Sequence, residues 1–153
     1  MRANILVEGL SSEELLDDWA WLLREPYALI ALNNFGDMFL RDGTGKVHFL
    51  DLAAGQITTI AESMEEFQRL SADKNCRARW FLLGLLTELD RAGMTITKGE
   101  CFGFKKPPVL GGKIELSNIE ITQLSVYASL MGQIHQQVRN LPPGTKIKEI
   151  KIE

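Results

Sequence analysis

Tyr27-Ala28-Leu29-Ile30-Ala31-Leu32, Phe35-Gly36-Asp37-Met38-Phe39-Leu40, Lys46-Val47-His48-Phe49-Leu50-Asp51-Leu52 and Gln56-Ile57-Thr58-Thr59-Ile60-Ala61 are four short, largely apolar or alternating runs. Between them stand Asn33-Asn34, Asp42-Gly43-Thr44-Gly45 and Ala54-Gly55. These are turn residues: glycine accepts positive φ, and short Asn or Asp side chains bond the nearby backbone. Short strands joined by tight turns predict an antiparallel meander.

Helical patterns flank the meander on both sides. Ser11 and Glu14 are spaced as a capping box, followed by Leu15, Leu16, Trp19, Leu22 and Leu23 at helical intervals. Pro26 ends that run by disfavouring helical geometry at Glu25. Ser63 and Glu66 repeat the capping pattern ahead of Met64, Phe67 and Leu70. Asp73 caps a further helix expected over 75–92, closed by Gly93. Its Trp80, Phe81, Leu82, Leu83, Leu85, Leu86 and Leu89 cover nearly every side, so it is expected to be the central buried helix. Residues 97–112 read as an irregular segment, and 118–122 as a half-buried strand. Ser125 opens a last helix with Tyr127, Leu130, Met131, Ile134 and Val138 on one stripe, stopped by Pro142-Pro143-Gly144. The tail, 146–153, alternates Ile with charge and reads as an edge strand or a frayed end. The expected class is α+β: an antiparallel meander packed with about four helices, one largely buried. One compact unit over 1–153 is expected, with a possible division into two lobes at about residue 62.

Composition narrows the function. The 153 residues carry 17 basic and 20 acidic side chains, net −3, without the basic excess that marks nucleic-acid binders. No secretory signal is visible, and the most apolar stretch, 80–86, is far too short to span a bilayer. A cytoplasmic location follows as the expectation, with Cys76 and Cys101 reduced. Those cysteines form no short-spaced pair of the kind a zinc ribbon needs.

Candidate catalytic motifs fail on inspection. Gly43-Thr44-Gly45-Lys46 lacks the phosphate loop's first glycine, since Leu40 stands there, and its hydroxyl, since Val47 follows the lysine. His48 and Asp51 are three apart on a strand, so they point to opposite faces. His135 lies at the edge of the last helix's apolar stripe and reads as structural. Two histidines alone do not make a metal site. Neither thiol has a neighbouring histidine to activate it. The acidic pairs Glu13-Glu14, Asp17-Asp18 and Glu65-Glu66 sit at helix starts, where they complement the dipole. No catalytic residue, metal or cofactor is expected, which leaves binding as the activity.

The segment Gly99-Glu100-Cys101-Phe102-Gly103-Phe104-Lys105-Lys106-Pro107-Pro108-Val109-Leu110-Gly111-Gly112-Lys113 is the least ordinary. Long loops are commonly functional, and aromatic anchors beside cations suit a protein interface. Phe102, Phe104, Lys105 and Lys106 are therefore the candidate partner-binding residues. Two other readings stay open. The rings fill the core while the lysines are solvated, or the rings stack on nucleic acid, which the acidic total disfavours.

The run from Gly99 to Leu110-Gly111-Gly112 also resembles the signature of type VI secretion immunity proteins, in the C-terminal domain formerly known only as one of unknown function. Leu130-Met131-Gly132-Gln133-Ile134-His135-Gln136-Gln137 and Leu141-Pro142-Pro143-Gly144 resemble that family's closing helix. Phe35-Gly36-Asp37-Met38-Phe39-Leu40 and Val47-His48-Phe49-Leu50-Asp51 resemble its upstream GAD-like strand region. The resemblance spans 19–144, with 19–62 GAD-like and 63–144 of the immunity type; residues 1–18 are shorter than the N-terminal region of two-domain members. It implies an antitoxin-like protein that binds a secreted effector, often a nuclease, and no catalytic residues. It implies neither direct nucleic-acid contact nor a membrane. Two other functions remain: a ligand-binding domain or enzyme whose site forms only in three dimensions, and a homo-oligomeric module that pairs through the tail.

Overall fold

The computed structural model describes residues 2–153. Five strands form one antiparallel sheet in sequence order: β1 (Asn4–Ile5), β2 (Ala28–Asn33), β3 (Met38–Arg41), β4 (Val47–Asp51) and β5 (Gln56–Ala61). The meander is present with the expected turns. Its register sets Leu32 against Met38, Met38 against Leu50, and Leu50 against Ile57. Strand side chains alternate between faces, so β3 serves two cores at once. Met38 and Leu40 join Leu32, Leu50 and Leu52 in one cluster, while Phe39 joins Val47 and Ala61 in another. Both faces of the sheet are thus covered, which is why β3 reads as an unbroken apolar run.

Helices fill the two faces. The short α1 (Ser12–Leu16) and α5 (Leu124–Val138) supply Leu15, Leu124, Ala128 and Met131 to the first cluster. α2 (Met64–Ser71) and α3 (Lys74–Trp80) supply Phe67 and Trp80 to the second, stacked at 5.7 Å beside Phe39. A second sheet pairs β6 (Glu100–Phe104) with β7 (Ile119–Gln123), antiparallel. Together with α4 (Leu83–Arg91) it encloses Leu86, Leu89, Phe102, Phe104 and Ile119. The first cluster joins Trp19 and Leu50 to Tyr127 and Met131, so apolar packing runs across residue 62. The α+β class stands.

Several elements differ from their sequence reading. The expected helix over 75–92 is two helices, α3 and α4, separated at Phe81 and Leu82. Leu82 adopts φ 51°, the only positive φ outside glycine among the described residues. This conformation costs about 1–2 kcal/mol in a residue with a Cβ. A bond from Asn33 compensates: its Nδ2 donates to the Trp80 carbonyl at 3.0 Å and captures the end of α3. The helix is consequently not buried all round, and Leu82 is exposed. The largely buried helix is α5 instead, with Tyr127, Ala128, Met131, Ile134 and His135 all inside.

The first helix is also shorter than its pattern. Ser11 caps it, its Oγ accepting the Glu14 N–H at 3.2 Å, but α1 gives way to a 3₁₀ turn at Asp17–Trp19. Two tryptophans fix that change of path. Trp19 Nε1 donates to the Ala128 carbonyl at 2.9 Å, and Trp21 Nε1 to the Gly132 carbonyl at 3.1 Å. Finally, the tail is not a strand. It folds back along α5, where Gln133 and Gln137 act as surrogate backbone. Gln137 Oε1 accepts the Lys151 N–H at 2.9 Å, and Gln133 Oε1 accepts the Glu153 N–H at 2.6 Å.

Candidate functional site

A groove of about 1080 Å³ lies between α1, α5 and the returning tail. Its construction follows from the anchors above. The Trp19 and Trp21 bonds pull the 3₁₀ turn against α5, and Gly132 permits the approach: a Cβ there would lie 2.5 Å from the Asp18 carbonyl oxygen. Ser129 Oγ donates to Asp18 Oδ2 across the same contact. The tail, held by Gln133 and Gln137, closes the far side with Ile152 and Glu153.

The groove's chemistry is one-sided. Glu13, Glu14, Asp17, Asp18 and Glu153 line it together with the apolar Leu16, Val126, Leu130 and Ile152. Among the described lining residues there is no Lys or Arg. Val126 and Ile152 are 59% and 49% exposed, large enough for apolar contact with a partner. Like charges focused along a concave wall raise the local concentration of the opposite sign. The acids at helix starts were read only as dipole partners. What the sequence could not show was the second wall, brought from over a hundred residues away by α5.

The predicted partner loop is taken apart by the fold. Phe102 is fully buried, its ring 5.7 Å from that of Phe35, and Phe104 is buried beside it. Residues 100–104 are strand β6, not irregular loop, so these rings are core and do not face a partner. This corrects the reading of Phe102 and Phe104 as anchors. Gly103 between them confirms the close packing, since a Cβ there would meet the Tyr127 ring at 2.7 Å. Lys105 and Lys106 are exposed, beside Val109, Ile114 and Leu116, which are exposed as well. Asn118 fixes this loop, donating to the carbonyls of Lys106 and Lys113 at 2.8 Å each.

The buried histidine has a structural partner. His135 Nε2 donates to the Leu52 carbonyl at 2.9 Å, and the ring packs on Trp19 at 5.8 Å. Burial holds its imidazole below the ordinary value, so it is neutral. Cys76 and Cys101 are both free thiols. Burial pushes the Cys101 thiol well up, further from a nucleophilic thiolate. None of the four cavities described is lined by His48 or His135.

Asp37 is the buried acid among these groups. It is buried in the turn before β3, where its Oδ2 accepts from Asn33 Nδ2 at 2.8 Å and its Oδ1 from the Leu52 N–H at 2.9 Å. Desolvation outweighs both bonds, with Asp51 adding repulsion, and the carboxyl is raised from 3.8 to about 7. The native state therefore binds the proton more tightly than the unfolded chain does. Stability from this group is full below about pH 4 and is lost as pH rises towards about 7. Urea denaturation across that window is expected to show wild type losing stability relative to Asp37→Asn. The variant itself is expected to lose about 1–3 kcal/mol, because its amide meets donors on both sides. Parallel pH profiles for the two proteins would refute the assignment.

Among the described residues no helix is long and apolar enough to cross a membrane. The structure is of the α+β class and carries a concave acidic groove between α1 and α5. Residues 61–135 match the family model described as T6SS immunity protein Tdi1, C-terminal. That similarity supports an immunity role. The matched segment runs from the end of β5 through the second sheet and most of α5. It contributes the Ser125, Val126, Ser129 and Leu130 wall of the groove, whereas the acids come from outside it. No curated protein matches the chain.

Proposed function

We propose that this chain is an immunity protein that binds a type VI secretion effector in the cytoplasm of the producing cell and blocks it. The acidic groove between α1 and α5 is the contact surface in this reading. The observation that carries it is the groove's chemistry: five carboxylates around apolar side chains, attached to a segment similar to an immunity domain. A nuclease effector fits that surface best. An enzyme that grips nucleic acid exposes Lys and Arg to its phosphates, and a groove of carboxylates competes for those cations. The GAD-like identity of residues 19–62 belongs to the same proposal, with the meander as the scaffold for both groove walls.

The test is co-expression of this chain with a toxic type VI effector offered as its target. Rescue of growth and co-purification of a stable pair are expected; neither rescue nor co-purification would reject the proposal. A second face is separable in the same assay. Lys105→Ala with Lys106→Ala removes two exposed cations and is expected to leave stability within about 0.5 kcal/mol, read by thermal melting. If the groove is the contact, this variant still neutralises. If neutralisation is lost while the fold is kept, the contact belongs to the loop.

A further inference from the structure

Glu25, Asp42 and His48 come from three separate places: the segment before β2, the β3–β4 turn and strand β4. The fold brings one ligand atom of each within 4.8 Å of the others. No spacing in the sequence groups them: Asp42 lies in a turn, and the acid nearest His48 along its strand is Asp51.

Asp42 and His48 are already oriented. Asp42 Oδ1 accepts from the Thr44 N–H at 2.8 Å, the Thr44 hydroxyl at 2.7 Å and the Lys46 N–H at 3.1 Å. Its Oδ2 is thereby left to His48 Nε2, at 2.7 Å. On the other side of the ring, Nδ1 lies 3.0 Å from the Thr59 hydroxyl. The Tyr27 ring stands edge-on to the imidazole, 5.4 Å between centroids and 84° between planes. The side chains of His48 and Asp42 are only 11% and 8% exposed, while Glu25 is exposed.

A proton shared between Nε2 and Oδ2 satisfies the His–Asp pair but not Glu25. Two carboxylates beside one imidazole keep a net negative charge even when the ring is protonated. A divalent cation neutralises both. An imidazole in the set favours a borderline transition ion over Ca²⁺ or Mg²⁺, which take oxygen ligands. A second ring nitrogen held by a hydroxyl is the outer-shell arrangement that fixes a metal-binding histidine.

We infer that Glu25, Asp42 and His48 form a Zn²⁺-type site that ties the entry of β2 to the β3–β4 hairpin. His48 Nε2, Asp42 Oδ2 and a Glu25 oxygen are the three protein ligands, and a water takes the fourth, solvent-facing position. If Nε2 carries the shared proton, the ion replaces it and that proton goes to solvent.

The test is calorimetric titration of the full chain, stripped with a chelator, using ZnCl₂. One equivalent is expected to bind and to raise the melting temperature, with no comparable response to MgCl₂. Thr59→Val is expected to weaken binding ~10–100-fold, as outer-shell changes do. Glu25→Gln removes an exposed ligand without touching the core and is expected to weaken it by at least ~10-fold. Cys76→Ala is expected to bind as wild type. Absence of Zn²⁺ binding by wild type overturns the inference. So does binding that survives both Glu25→Gln and His48→Gln, which would be an adventitious surface ion only.

Discussion

Trp19→Ala is expected to lower the unfolding free energy by about 3–5 kcal/mol, the range for truncating a large buried aromatic. Trp19 is fully buried, stacked on Trp21 at 6.0 Å and against His135 at 5.8 Å. Truncation leaves a void that rigid neighbours on both sides cannot fill. It also removes the Nε1–H bond to the Ala128 carbonyl, the long-range bond that fixes the 3₁₀ turn on α5. Against a typical total of about 5–15 kcal/mol, the loss is large enough to unfold a marginal protein. Trp19→Phe separates the two contributions: it keeps most of the ring and forfeits the bond, itself worth about 1 kcal/mol. Chemical denaturation of both variants is the measurement. A loss under about 1 kcal/mol for Trp19→Ala would show that the turn is not anchored in this way.

Glu13→Lys with Asp17→Lys is expected to abolish neutralisation while the chain stays folded. Both carboxylates are exposed on the same wall of the groove. Their folding role is small: a first-turn acid contributes about 0.3–1 kcal/mol through the helix dipole. Their binding role is much larger if a cationic effector surface sits there. Each reversal replaces an attraction by a like-charge contact, which costs several kcal/mol. An affinity loss of ~100-fold or more is the expected outcome, equivalent to about 3 kcal/mol. Titration of purified effector against both proteins reads it, with circular dichroism as the check on folding. Raising the salt should weaken the wild-type complex and leave the variant little changed, because screening acts on the pairs the variant lacks. Full neutralisation by the double variant would remove the groove from the proposal.

The two expectations touch opposite kinds of sequence signal. Trp19 was legible as an apolar residue of a helical stripe, though not as the anchor that ends the helix. That role depends on the Ala128 carbonyl, 109 residues away. The groove acids were legible as helix-start residues, and that local explanation says nothing of the concave wall they share. Lys105 and Lys106 were placed on the surface, as expected. Phe102 and Phe104 were misjudged because glycines and prolines nearby suggested a loop. In the structure, Gly103 is instead required for the Tyr127 ring to pack against β6.

The sequence by itself determined the meander, its turns, the Ser63 and Asp73 caps, and the α+β class. Those features rest on contacts within a few residues: alternation, turn chemistry, and a side-chain oxygen reaching an amide three positions on. Only the tertiary structure decided where the acidic groove lies and which polar groups meet. The break at Leu82 depends on Asn33, the groove on α5 meeting a 3₁₀ turn, and the Glu25–Asp42–His48 cluster on strand register. Each joins groups distant in sequence, whose proximity is set by burial and pairing of the intervening chain, and no local pattern of residues records that.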